Sequence, residues 1–173
     1  MIPLHAADLE PRKTPIQARS IATVEAIIEA AVQVLITTGQ SELTTTRVAQ
    51  RAGVSIGSLY QYFPNKRALL AGVLERYLLE IVEAVESACR KQHGNTLSKM
   101  AEQFVQAYID VKLTRPDAMK ALYNMAREWG QTPMVDGMRN RMRQAVCAML
   151  ETASDGVLDD PAVVSTVLLG AVA

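Results

Sequence analysis

The sequence predicts an all-α chain, on three observations. Hydrophobic residues fill 49% of its 173 positions while aromatics reach only 5%, and Ala, Val, Leu and Met predominate, as in helices packed on helices. Apolar residues recur at three- and four-residue spacing through most of the chain. Proline and glycine, 7 and 9 in number, sit mainly where those periodic runs end.

Residues 1–15 combine Pro3, Pro11 and Pro15 with mixed charge and little periodicity, which predicts a flexible arm. Arg12 and Lys13 in it are candidates for contact with phosphates or an adjacent minor groove, and Arg19, in the helix that follows, for contact with phosphate. The first helix is expected over residues 16–38, with Ile21, Val24, Ile27, Ile28, Ala31, Val32 and Leu35 inward and Gly39 at its end.

The stretch from Leu43 to Leu74, LTTTRVAQRAGVSIGSLYQYFPNKRALLAGVL, is punctuated differently. Thr44, Thr45 and Thr46 offer hydroxyls to the free N–H groups of a helix start, and Val48 to Ala52 makes a short helix that Gly53 stops. Ser55 is placed to cap a second short helix, Ile56 to Tyr62, closed by Pro64, with Asn65 capping the next helix. Two short helices joined by a glycine-containing turn make a helix-turn-helix. Leu59 and Phe63, four apart, anchor the second helix on one face. Its other face carries Ser58, Tyr60, Gln61 and Tyr62, and Gly57 lets the backbone approach a surface closely. The stretch holds Arg47, Arg51, Lys66 and Arg67 without one acidic residue, although the chain as a whole has a formal net charge of +0. Locally it is built to face an anion.

A helix of about 25 residues runs from Asn65 to near Arg90, with Leu69, Leu70, Val73, Leu74, Tyr77, Leu78, Ile81, Val82 and Val85 on one face; at 1.5 Å per residue it spans almost 40 Å. Gly94 and Asn95 mark its break. Further helices are expected over 96–113, with Leu97, Met100, Ala101, Phe104, Val105, Tyr108, Ile109 and Val111 inward, over 116–129, opened by Pro116, and over 133–153. A last apolar helix begins at Pro161 and runs to Ala173 without a cap, so the sequence is expected to be shorter than the natural protein.

The segment AGVSIGSLYQYFPNKRALL resembles the DNA-binding signature of the TetR family of transcriptional regulators, from the Ala-Gly-Val-Ser turn to the Lys opening the next helix. The resemblance covers about Ile21 to Leu79. It implies a helix-turn-helix DNA-binding domain over 16–64 and a helical effector-binding and dimerisation domain over 65–173, joined by the helix 65–90. It also implies a homodimer formed by two long C-terminal helices, the last of them expected beyond Ala173.

A DNA site needs phosphate donors to set register and base-edge contacts to read sequence. Thr44, Thr45, Ser58, Tyr62 and Lys66 are assigned to phosphate, Lys66 because a helix N-terminus already favours anions, with Ser55 beside them. Thr46, Arg47, Ile56, Gly57, Tyr60 and Gln61 are assigned to bases: Arg47 forks onto guanine, Gln61 onto adenine, and Ile56 packs on a thymine methyl. Arg51 is expected on the outer face. For a small apolar or amphipathic effector the candidates are Met100, Phe104, Tyr108, Met119, Tyr123, Met125, Trp129, Met134, Met138 and Met142, since methionine adapts to irregular apolar space.

Catalysis finds no support. Cys89 and His93, four apart, fall short of the three or four ligands of a zinc site; His5 lies in the arm, and there is no phosphate loop or nucleophile elbow. Asp159 and Asp160 read as helix-start polarity. No cofactor or metal is expected, and the two cysteines, Cys89 and Cys147, should both be reduced. With no run of about 18 uninterrupted apolar residues and no signal pattern, the chain is expected to be cytoplasmic, without a membrane partner. The leading reading is a dimeric repressor of a palindromic double-stranded operator, released by a small molecule. The alternative is a helical protein-interaction module that has lost sequence-specific DNA binding.

Overall fold

Eight α-helices and no strand occur among the residues that the computed structural model describes, 18–129 and 132–172. The expected arm, with Arg12 and Lys13, lies outside them. The chain forms two compact units, Met1–Arg76 with Asp117–Trp129, and Tyr77–Pro116 with Gly130–Ala173. The boundary expected at 64/65 therefore falls inside the first unit, because the helix starting there is unbroken and its Ala68, Leu69 and Val73 are fully buried.

In the first unit, α1 (Ala18–Glu42) presents Ile27, Ala31 and Val32, all 0% exposed, to the core. The expected stop at Gly39 is present as a kink, with φ 77° and ψ 170°, a conformation glycine reaches without a Cβ penalty. By length and mean hydropathy α1 also meets the requirement of a membrane span, yet these inward residues make it a core helix. Ile21, expected inward, is exposed, since it precedes the buried run that begins at Ile27.

α2 (Thr45–Ala52) starts three residues earlier than expected. Of the three threonines, Thr44 is the cap: its Oγ1 accepts from Arg47 N at 3.2 Å, which leaves Thr45 to Arg47 in the first turn. Gly53 ends it in the left-handed region, φ 69°, while Val54 N donates to Ala49 O. α3 (Ile56–Tyr62) has the expected bounds, with Ser55 Oγ accepting from Ser58 N at 3.0 Å. α4 (Lys66–Gln92) is capped by Asn65, whose Oδ1 accepts from Ala68 N at 2.8 Å. α6 (Pro116–Trp129) completes the unit and buries Ala118, Leu122 and Met125.

The second unit combines the later part of α4 with α5 (Leu97–Thr114), α7 (Pro133–Leu150) and α8 (Pro161–Val172). Its core takes Ile81, Val82, Val85 and Cys89 from α4, Met100, Phe104 and Tyr108 from α5, and Met142, Val146 and Met149 from α7. Glu86 and Arg141 tie α4 to α7 by a bidentate pair at 3.0 and 3.1 Å. Ile109, expected inward, is exposed. α7 stops at Leu150, short of the expected 153, because the next residues turn to other partners: Gly94 N donates to Thr152 Oγ1, Ser154 N to Asn95 O and Leu97 N to Asp155 Oδ1. Asp160 does supply helix-start polarity, its Oδ1 accepting from Ala162 N and Val163 N.

Candidate nucleic-acid interface

α3 is seated by Leu59 and Phe63, 0% and 2% exposed, as their four-residue spacing requires. Phe63 lies over α4 where Gly72 has no side chain; a Cβ there would meet the ring at 2.8 Å. With that face buried, Ile56, Gly57, Tyr60 and Gln61 stand together on the solvent side, and Ser58 and Tyr62 flank them half-buried. A Cβ on Gly57 would meet only Ser55 Oγ, at 3.8 Å. The space above it is open to a partner.

The start of α2 meets this face. The hydroxyls of Thr45 and Tyr60 hydrogen-bond at 3.0 Å, joining a predicted phosphate contact to a predicted base contact. Thr44, Thr46 and Arg47 are exposed beside them, and Ser55 Oγ sits 2.8 Å from Ser58 Oγ. The twelve predicted residues are thus all exposed or half-buried and lie on α2, α3, their caps and the first residue of α4.

The cations are not idle. Arg47 Nη1 donates to the carbonyl of Glu42 at 2.9 Å and lies 3.8 Å from that residue's carboxylate. Lys66 Nζ donates to the carbonyls of Gln40 and Ser41 at 2.6 and 3.3 Å, capping the end of α1, where the helix dipole favours a positive charge. Arg51 Nε donates to Gln33 Oε1 at 2.6 Å, and Gln33 in turn to Glu29. Sequence reasoning missed Glu42, which sits one residue ahead of the acid-free stretch; the glycine at 39 was the signal that the chain turns there. Arg19 lies within α1, and its side chain is outside the described residues.

The predicted effector residues divide between the units. Met100 and Phe104 are 0% exposed and Met142 is 9% exposed, so these three are enclosed in the second unit's core; Met134 and Met138 are half-buried. In the first unit Met125 is buried, Met119 half-buried and Tyr123 exposed, while Trp129 ends α6 with its side chain outside the described residues. Of the set, Tyr108 lines an open groove of about 410 Å³, with Val105, Ile109, Lys112 and Leu113. The Lys112 ammonium lies 4.5 Å from the centre of the Tyr108 ring. Both cysteines are free; burial pushes the Cys89 thiol up to about 11.

Residues 27–73 match the model described as bacterial regulatory proteins, tetR family, and residues 96–173 match the tetracyclin repressor-like C-terminal domain. The HTH-type transcriptional repressor BepR of Brucella suis biovar 1 is 29% identical over 137 residues, 77% of this chain and 65% of that one. The tetracycline repressor protein class C of Escherichia coli is 46% identical over 54 residues, 31% of this chain and 25% of that one. The chain thus spans less than two thirds of the length of these curated relatives. Among solved structures, the fatty acid degradation regulator FadR of Bacillus halodurans superposes with a TM-score of 0.69 at 18% identity, covering 92% of this chain and 82% of that one, a likeness of fold.

Proposed function

Because the chain belongs to the tetR family of bacterial regulatory proteins, and is a transcriptional regulator rather than an enzyme, we propose that it represses transcription by binding a palindromic operator as a homodimer. The observation that carries this reading is the exposed face of α3, where Ile56, Gly57, Tyr60 and Gln61 stand clear of the core that Leu59 and Phe63 anchor. Thr44, Thr45, Ser58, Tyr62 and Lys66 flank that face as phosphate donors, and Thr46 and Arg47 extend its base contacts. Dimers of this kind place two such helices in successive major grooves about 34 Å apart. BepR and the class C tetracycline repressor are both named repressors, which supports the sign of regulation.

Release follows from a small apolar or amphipathic effector that binds one conformation better and so shifts the population away from the spacing that fits DNA. The groove at Tyr108, apolar along Val105, Ile109 and Leu113 with one cation at Lys112, supports that ligand class. A bacterial regulator acting on DNA works in the cytoplasm.

The test is fluorescence anisotropy on fragments of the gene's own upstream DNA at two salt concentrations, with Tyr60→Ala alongside. Tight binding to one fragment, weakened by salt and at least tenfold by the substitution, is the expected result. Equal, salt-insensitive binding to every fragment refutes it and favours a protein-interaction module.

A further inference from the structure

Arg47 and Lys66, two of the four cations in the acid-free stretch, are both held by one turn of backbone. At Gly39 the chain leaves helical space, so residues 40–42 form a separate turn whose carbonyls have no next turn of helix to accept from. Gln40 and Ser41 accept from Lys66 Nζ, and Glu42 accepts from Arg47 Nη1. Glu42 adds a carboxylate 3.8 Å from that same nitrogen, with the two side chains 69% and 50% exposed. A guanidinium between a carbonyl and a carboxylate meets much the same oxygen chemistry that a phosphodiester offers.

We infer that Glu42 is a regulatory residue that acts through Arg47, as an internal competitor that every DNA contact of that guanidinium must displace. The inference rests on the DNA-reading function proposed above. Magnitudes decide the direction. An exposed ion pair is worth at most a factor of about five. A good bidentate guanine contact discriminates by about 5- to 150-fold. Glu42 therefore yields to a guanine edge, and yielding costs that complex up to the same factor of about five. On random sequence the cost is the same where Arg47 takes a phosphate and absent where it stays folded back, so Glu42 holds affinity down at the operator at least as strongly as elsewhere.

The experiment measures binding of the wild type, Glu42→Gln, Arg47→Gln, the double variant and Glu25→Gln to two duplexes, one random and one enriched by in vitro selection on the wild type. Glu25 is the control, an exposed carboxylate of the same unit paired instead with Arg76 at 3.4 Å. Expected for Glu42→Gln are a gain of about two- to fivefold on the selected duplex at 50 mM salt and a gain on the random duplex that is no larger. In the Arg47→Gln background the Glu42 effect should vanish, and Glu25→Gln should match the wild type. The inference is overturned by a larger gain on the random duplex than on the selected one, by an effect that survives without Arg47, or by the same gain from Glu25→Gln. A wild type that binds no duplex removes the DNA reading itself; wild-type binding with no response to Glu42→Gln removes this inference alone.

Discussion

Gly57 and Gly72 are both helical glycines, and their surroundings give them opposite meanings. A methyl group on Gly57 finds open space, with Ser55 Oγ at 3.8 Å as its nearest neighbour. Gly57→Ala should therefore raise stability by about 0.5–1 kcal/mol through helix propensity, yet lose at least tenfold in operator affinity because the added methyl holds the helix off the groove. Thermal melts and anisotropy on one preparation check both halves. Gly72→Ala places its methyl 2.8 Å from Phe63 Cε1. It should cost about 1–3 kcal/mol by overpacking despite the better propensity, read as a lower denaturation midpoint. The openness of position 57 was legible in the sequence, from its place on a helix with a polar face. The crowding at 72 was not, because Phe63 and Gly72 meet only after the turn at Pro64 brings α3 back onto α4.

At the scale of elements, caps and stops set the bounds of the helix-turn-helix. Thr44, Ser55 and Asn65 each accept from the N–H three residues on, and Gly53 closes α2. Each is a local pairing of residue type with position, which is why α3 was predicted with its observed bounds. The start of α2 was less legible, because three consecutive threonines can each serve as the cap and only the path of the chain after Gly39 selects Thr44. Asn65→Ala should destabilise by about 1 kcal/mol and leave the interface side chains in place. Chemical denaturation is expected to show the loss, with operator affinity within about twofold of the wild type.

Across the whole chain the charges cancel, 18 basic against 18 acidic, so affinity for DNA has to come from the local field of residues 43–74 and should fall steeply with salt. Stability has its own pH signature. Cys89 is 1% exposed, and burial raises its thiol from 9.0 to about 11. The folded state then holds its proton more tightly than the unfolded state, so the contribution is intact below pH 9 and lost as pH climbs through about 11. On the order of 2 kcal/mol of stability should disappear across that interval, and Cys89→Ala should lose less over the same range. Urea midpoints at pH 8, 9, 10 and 11 for both proteins make the comparison; parallel pH curves would rule the thiol out.

Periodicity, caps and breakers, each acting within a few residues, were enough to settle the class of fold, the order of eight helices, the position of the helix-turn-helix and the face of α3 that stays outside. None of these needs a distant part of the chain. Long-range packing was needed to enclose Met100, Phe104 and Met142 as core, to turn Lys66 and Arg47 to the carbonyls ending α1, and to set Glu42 against Arg47. Those depend on where the kink at Gly39 sends the chain and on which helices close over one another. Apolar residues at helical spacing look alike whether they end in a core or on a groove wall, and a surface cation shows its partner only once another element has folded beside it.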